Sequence, residues 1–380
     1  MPPKKMKNSN KASNKTPLAL APPSKAMVSR TKTKKRSGKS RNAAGSLRLS
    51  AAGSDFLKAA LAPPDFPLGT FEGIPDSFEG RVVTKSWSLT TSLPSVTDGL
   101  PTYIVQLPIP GVAYLYGQIL SGNLNLTPVY FSDYSTIFPA NYETTSVTSF
   151  RYAGHAMEVV PTVNAMTWTG SVQIFRGPVT LSLTAISNAA TAFVVDGLGS
   201  MINSGRPDAV HPFNLGCYCA SRQVQPDFPF HQITPQTVFN EVPVSNQAGG
   251  VTVAMPAGTS FPGLGSMEAI IFKIPSYSAT GNAATLRFWA HTEFQVSSAS
   301  FLYEFAHMSP THDPLAMKLL KDAFKEMQLC VPYYENDGMW DRVLNFIRRA
   351  ASLAAFIPGP IGEIGYGVKV ASDAIYGLTL

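Results

Sequence analysis

The sequence predicts an all-β protein, an antiparallel sandwich or barrel, with a basic tail before it and a helical segment after it. Short segments of alternating apolar and polar residues recur between stretches rich in Gly, Pro, Asn and Ser. Helical periodicity is confined to the two ends of the chain. Because the strands do not alternate with helices, an α/β architecture is disfavoured.

The tail comprises residues 1–50, which carry 14 of the 30 lysines and arginines and none of the 24 acidic residues. No aromatic residue and no strand or helix period occurs there, so we expect disorder. Such a tail is either a solvated or nuclear-import segment or an arm that binds a polyanion. The high density of lysines and arginines favours the arm. The candidate RNA-binding residues are Lys4, Lys5, Lys7, Arg30, Lys32, Lys34, Lys35, Arg36, Lys39 and Arg41.

Strands follow a first short helix, predicted over 54–62, capped by Ser54 or Asp55 and stopped by Pro63 and Pro64. In LRFWAHTEFQV (286–296), apolar residues occupy one face and Arg287, His291, Glu293 and Gln295 the other. VTLSLTA (179–185) alternates in the same way. The segments PTYIVQLPIP, VAYLYGQIL, TWTGSVQIF and MEAIIFKIP are further predicted strands.

Two helices are predicted near the C-terminus, over 313–327 and from about 338 to 356. The second is amphipathic, with Arg342, Asn345, Arg348, Arg349 and Ser352 on its polar side. It could dock its apolar face on the β-body or lie in a bilayer interface, where tryptophan beside arginine is favourable. The apolar face contains Trp340, Val343, Leu344 and Ile347, followed by Ala350, Ala351 and Ala354.

Asn336 and Asp337, followed by Gly338 directly before this helix, have side chains that are prone to attack the backbone. The Asn336 amide nitrogen can attack its own carbonyl carbon, form a cyclic imide and expel the following amine. A nearby carboxyl that shuttles protons would accelerate this reaction, and burial would suit it because desolvation raises a carboxyl pKa. Asp65, in the stiff apolar segment LAPPDFP, is the candidate, although such an aspartate is also typical of a turn.

Several other classes are disfavoured by absent patterns. Three cysteines form no paired framework, which suits a reducing compartment, and no zinc motif occurs. No run of 18 apolar residues and no signal-peptide pattern is present, so we expect cytosolic synthesis and no conventional membrane span. A hydrolase of the Gly-x-Ser-x-Gly type is disfavoured as well.

Several motifs, in order from about residue 46 to the end, resemble the coat-protein precursors of the alphanodaviruses. They are FLKAALAPPDF, GIPDSFEGRVV, SFRYAGHAMEVVPTVNAM, GSVQIF and the closing NDGMWDRV…IPGPIG. The resemblance implies an eight-stranded antiparallel jelly roll with a projection from inserted loops. It also implies a quasi-equivalent T=3 icosahedral shell around single-stranded RNA, synthesis in the host cytoplasm and residence in the virion.

The resemblance further implies a single-turnover, aspartic-type self-cleavage after assembly, with Asp65 as the catalytic residue and Asn336 as the scissile one. The resulting division is a basic RNA-binding arm (1–50), a shell (51–336) and a membrane-lytic peptide (337–380) for host entry. Asp337 departs from the small uncharged residue usual in the family, and would either slow the reaction by like-charge coupling or assist it.

Calcium between subunits is also implied by the resemblance, through Asp196 and Asp227. Thr145 and Pro229 stand where the family has carboxylates, so a weak site or none is expected. The rival interpretation is a non-viral nuclear RNA-binding β-protein whose C-terminal helix is structural.

Overall fold

The computed structural model describes residues 49–66, 71–94, 96–97, 99–120, 123–138, 147–162, 170–187, 190–225, 227–233, 251–253, 262–277, 284–335 and 338–355. Contacts divide the chain into two units, residues 1–44 and 45–380, and all described residues belong to the second. These residues form two sheets, with a group of helices packed on one of them.

The strands are β1 (Arg81–Ser92), β2 (Thr102–Gln106), β3 (Val112–Leu120), β4 (Asn123–Tyr130), β5 (Val147–Pro161), β6 (Ser171–Gly177), β7 (Thr180–Ser187), β8 (Ala190–Asp196), β9 (Ala209–Pro212), β10 (Cys217–Ala220), β11 (His231–Gln232), β12 (Val251–Val253), β13 (Ala269–Ile274), β14 (Ala284–Val296), β15 (His307–Met308) and β16 (Cys330–Pro332). The helices are α1 (Ala51–Leu61), α2 (Tyr134–Ile137), α3 (Leu198–Asn203), α4 (Pro314–Glu326) and α5 (Met339–Ala355).

Eight of these strands form the two four-stranded sheets of a jelly roll. The first sheet contains the order β1-β14-β5-β10 and the second the order β2-β13-β6-β9. Neighbours within each set are antiparallel. Along these eight strands the chain changes sheet at every step except from β6 to β9, which are neighbours in the second sheet, and this is the connectivity of a jelly roll. The predicted fold class is therefore confirmed.

The other strands of the second sheet come from three insertions into the jelly roll. β3 and β4 lie between β2 and β5, β7 and β8 between β6 and β9, and β12 between β10 and β13. They extend the sheet from β2 in the order β3-β4-β12-β8-β7, with β12 parallel to β4. The inserted loops that the resemblance implies are therefore present, and strands from three separate insertions pair with one another in the second sheet.

The main core lies between the two sheets. The alternation of apolar and polar residues along β14 directs one face of this strand into that core. Leu286, Phe288, Ala290 and Phe294 belong to this core, as the sequence predicts. The opposite face of β14 is also covered, because Trp289, His291 and Glu293 are at most 9% exposed. A strand that is buried on both faces does not show a simple contrast between an apolar buried face and a polar exposed one.

Helices cover that second face. α1, α4 and α5 form a further apolar cluster with residues of β5, β10, β14 and β16. The start of α1 differs from expectation, because Ser50 rather than Ser54 or Asp55 is the N-cap and accepts a hydrogen bond from the Gly53 amide. The Ser50 amide in turn donates to Asp313, which caps α4. A cap shared with another helix cannot be predicted from local sequence.

The cysteines also differ from expectation. Cys219 and Cys330 lie opposite each other on β10 and β16 and form a cross-strand disulfide, while Cys217 is a buried free thiol. The pairing was not predicted because the two residues are 111 positions apart and only the sheet brings them together.

None of the helices in the described part of the chain combines the length and apolar character that a membrane crossing requires.

Candidate active site

Asp65 lies at the end of a 3-10 turn, Pro63–Asp65, that follows α1. Two consecutive prolines favour this turn because each fixes its own φ and lacks an amide donor. The Asp65 amide donates to the Ala62 carbonyl at 3.2 Å, which closes the turn. The local sequence thus holds the carboxyl group on a short, stiff connection.

The Asp65 carboxylate reaches the start of α5. Its Oδ2 accepts a hydrogen bond from the Trp340 amide at 2.7 Å, across 275 residues of sequence. The first amides of a helix have no partner within the helix, and a carboxylate there is favoured by the helix dipole as well. Asp65 therefore acts as the N-terminal cap of α5, and the amide that it caps belongs to Trp340, four residues after Asn336.

Aromatic and basic side chains surround this contact. The rings of Phe66 and Trp340 meet edge to face, with centroids 5.4 Å apart. Lys58 Nζ lies 4.8 Å from the centroid of Phe66 and 5.9 Å from that of Trp340. A cation above aromatic faces is an attractive arrangement. These contacts fix the connection after α1 against the first turn of α5.

Tyr218 of β10 contacts the end of α1, directly before the turn that carries Asp65. Its hydroxyl donates to the Leu61 carbonyl at 3.2 Å. Burial raises the pKa of Tyr218 well above its usual value, and the negative charges of Glu158 and Asp65 raise it further. Tyr218 therefore stays neutral and acts as a hydrogen-bond donor.

On the other side of the proposed cleavage bond, Glu335 ends the 3-10 turn Tyr333–Glu335 that follows β16. Arg342 Nη1 donates to Glu335 Oε2 at 3.0 Å. Gly338 has a φ of 87°, a left-handed conformation that favours glycine and turns the chain into α5. Asn336 and Asp337 lie outside the described residues.

The burial expected for Asp65 is only partly found. Asp65 is half-buried in the single chain, not fully enclosed. The physical reason is its position on the connection after α1, where Pro64, Asp65 and Phe66 are all partly exposed. Its Oδ2 accepts the hydrogen bond of the Trp340 amide, a donor that suits a carboxyl oxygen.

The predicted membrane-active face of α5 is buried on the body. Trp340, Val343, Leu344 and Ile347 are at most 5% exposed, and Met339 is fully buried beside them. The docked alternative is therefore confirmed for this conformation of the chain. The side chains of Ala350, Ala351 and Ala354 lie outside the described ones.

A protein family matches residues 49–377, and its description is Peptidase A6 family. The chain belongs to the Peptidase A6 family.

Curated relatives of this Peptidase A6 member agree over most of its length. It is 32% identical over 356 residues to Capsid protein alpha of Flock house virus, covering 88% of this chain and 87% of that protein. Its identity to Capsid protein alpha of Pariacoto virus is 33% over 344 residues, covering 84% of this chain and 86% of that protein. The resemblance noted from sequence motifs is confirmed.

Among solved structures, that of infectious bursal disease virus Gx strain is similar with a TM-score of 0.48 and 12% identity, covering 76% of this chain and 98% of that one. The jelly-roll assignment rests on the strand order of the Peptidase A6 chain itself.

Two carboxylates were predicted as calcium ligands of this Peptidase A6 member. Asp196 ends β8, whereas the Asp227 side chain is 88% exposed and lies 3.9 Å from Lys321 Nζ. No group of three or more metal-binding side chains occurs within the described ranges. Since calcium takes six to eight oxygen ligands, these residues do not complete a site within one chain, and the calcium hypothesis stays a prediction.

The predicted RNA-binding residues all lie in 1–50, of which only 49 and 50 are described. RNA binding by this Peptidase A6 member therefore also stays a prediction.

Sequence reasoning missed the contacts around Asp65. Tyr218 lies in none of the quoted motifs, and Lys58, although it lies within FLKAALAPPDF, carries no chemical signal of its own; only the fold brings both to the site. The pair formed by Glu335 and Arg342 had a weak signal, since opposite charges flank the predicted cleavage bond.

A buried ion cluster was missed as well. Arg151 of β5 pairs with Asp76 and Glu293, and the Glu293 carboxylate also accepts a hydrogen bond from the Ile74 amide. The cluster attaches the segment before β1 to the first sheet. It serves the fold, because buried charges need such partners.

Proposed function

We propose that the chain is a self-cleaving viral coat-protein precursor. Its copies assemble an icosahedral shell around single-stranded RNA, and each chain then cuts itself once between Asn336 and Asp337. Membership of a peptidase family and similarity to viral capsid proteins support this proposal. The observation that carries the chemistry is the 2.7 Å hydrogen bond from the Trp340 amide to Asp65.

In the proposed reaction, the side-chain nitrogen of Asn336 attacks the carbonyl carbon of the same residue. The Asp65 carboxylate accepts a proton from that nitrogen as the new carbon–nitrogen bond closes a five-membered imide. The bond from the same carbonyl carbon to the Asp337 nitrogen then breaks, and the carboxyl returns the proton to the leaving amine. Water later opens the imide. No other reactant is needed.

Two factors supply the rate. General acid–base catalysis contributes on the order of 10²–10⁴-fold, and fixed orientation of the reacting groups contributes further. Asp65 is suited to proton transfer because its turn and its bond to α5 hold it beside the end of the body. Chain connectivity keeps Asn336 within four residues of Trp340.

The test compares two substitutions with the native chain. Asp65→Asn keeps the shape and an oxygen that can cap α5, because asparagine is also a good N-cap residue, but it cannot exchange a proton. Asn336→Ala removes the attacking nitrogen. We expect both variants to form particles and to remain a single band on a denaturing gel, whereas the native chain gives two.

A normal doublet from either variant would contradict the assigned chemistry. Asp133→Asn, which alters a carboxylate near β1 with no contact to α5, is the matched control and should cleave like the native chain.

The rival function, a nuclear RNA-binding protein with a structural C-terminal helix, also accounts for a docked α5. The similarity to viral capsid proteins favours the coat-protein function. The two are separated by electron microscopy of the purified protein, because only the coat protein forms particles.

A further inference from the structure

The ion pair between Glu335 and Arg342 spans the proposed cleavage bond. Glu335 precedes Asn336 directly, and Arg342 lies in the first turn of α5. Their side chains meet at 3.0 Å, so a charged hydrogen bond connects the residue directly before the proposed cleavage bond to the first turn of α5.

Each end of this loop is attached to the body independently. Before Glu335, β16 pairs with β10, and the Tyr333 amide donates to the Gly216 carbonyl at 3.3 Å. After the proposed cleavage bond, Asp65 caps α5 and the Arg342 amide donates to the Gly338 carbonyl. The ion pair therefore joins two fixed segments and limits the paths that the chain between them can take.

The pair is not placed to stabilise the fold as a whole. The two side chains are 40% and 36% exposed, and ion pairs at such positions contribute little to stability. Their position in the chain is what distinguishes them from other exposed pairs.

We propose that Glu335 and Arg342 are positioning residues for the cleavage of the Asn336–Asp337 bond, an inference that rests on the proposed function. The pair ties together the described chain on either side of that bond, and the proposed effect is to restrict the orientations that the Asn336 side chain can take relative to its own carbonyl carbon. Small displacements of reacting groups reduce rates strongly, so loss of the pair should slow cleavage without abolishing it.

The experiment measures the rate at which the full-length chain is cleaved in assembled particles. Glu335→Gln and Arg342→Gln remove one charge each, and we expect each to slow cleavage by about tenfold. The exchanged pair, Glu335→Arg with Arg342→Glu, restores opposite charges and should recover most of the native rate. Lys85→Gln is the control, since it breaks an ion pair of similar exposure elsewhere and should leave the rate unchanged.

The outcomes distinguish this inference from the proposed function. If the single variants cleave at the native rate while Asp65→Asn does not cleave, the positioning role is overturned and the chemistry stands. If the exchanged pair is as slow as the single variants, the two residues do not act through each other and the inference fails. If the native chain itself gives one band, the proposed function fails first. For a charge-removing variant that does not assemble, Arg342→Ala replaces it and should show the same slowing, whereas Arg342→Lys keeps the charge and should cleave close to the native rate.

Discussion

Asp65 combines two roles at the scale of a single residue. As a helix cap it stabilises the start of α5, and as the proposed proton-transfer group it would cut the chain four residues before the amide that it caps. A capping carboxylate is held in one orientation by its hydrogen bond, which is the condition that an intramolecular reaction needs. In the proposed mechanism, the contact that stabilises α5 also orients the group that transfers the proton.

Two buried histidines give a prediction about pH at the same scale. Burial lowers the pKa of His155 to about 3 and that of His291 to about 4, while the hydrogen bond from His155 to the Glu268 carbonyl opposes the shift of the former. In the unfolded chain both rings titrate near their ordinary value, so below about pH 6.5 the unfolded state binds more protons. The stability that they contribute is complete above that pH and is lost as the pH falls.

We therefore expect each histidine to lower the free energy of unfolding by about 2 kcal/mol between pH 7 and pH 5. In His291→Asn, the asparagine amide takes the place of the Nδ1 atom that bonds to Ser86, and an amide does not titrate. Thermal unfolding at several pH values should show a smaller loss of stability for this variant than for the native chain. An unchanged pH dependence would mean that His291 does not contribute.

At the scale of elements, α5 has one apolar face and two proposed uses for it. The face packs against α1, α4 and the first sheet in the described conformation. A helix that binds a bilayer buries the same kind of face among lipid chains. The two uses exclude each other, so membrane activity requires that α5 leave the body, and cutting the chain before it removes the covalent obstacle.

The proposed membrane role predicts that a synthetic peptide of residues 337–380 releases dye from liposomes. A matched peptide with Leu344→Asp should be much less active, because a charge on the apolar face is costly to bury in a membrane. Asn345→Asp, on the exposed side of α5, adds the same charge and should retain activity. Equal leakage from all three peptides would show that the apolar face is not responsible, and no leakage from the native peptide would remove the role.

At the scale of the whole molecule, the jelly roll brings distant segments together. The turn that carries Asp65 follows α1, and α5 follows the last paired strand, β16. Both helices pack on the same face of the first sheet, with α4 beside them. This layer places the start of the shell region in contact with the helix that follows the end of that region.

The charge distribution of the whole chain leads to the prediction on RNA. The 14 cations of residues 1–50 precede a body with 16 basic and 24 acidic residues. Because neutralising RNA depends on cations and the body is net negative, we expect deletion of residues 1–41 to abolish RNA packaging or make it unselective. The ratio of absorbance at 260 and 280 nm and sequencing of packaged RNA measure this. Particles with unchanged RNA content would contradict the role of the arm.

Local patterns in the sequence determined a good part of this result. Alternation along segments such as LRFWAHTEFQV identified strands, and apolar spacing identified α4 and α5 to within about two residues. The resemblance in motifs identified the family and implied that Asp65 is the catalytic residue. These signals arise from residues a few positions apart, so they can be read without the fold.

The tertiary structure alone decided which of these segments meet. Three contacts join residues far apart in sequence: the hydrogen bond between Asp65 and Trp340, the shared cap at Ser50 and Asp313, and the pairing of Cys219 with Cys330. Packing of the helices also buries His291 and Glu293 on a strand face that the sequence predicts as polar. Such contacts depend on how sheets and helices pack as a whole, because each partner's environment is supplied by another part of the chain.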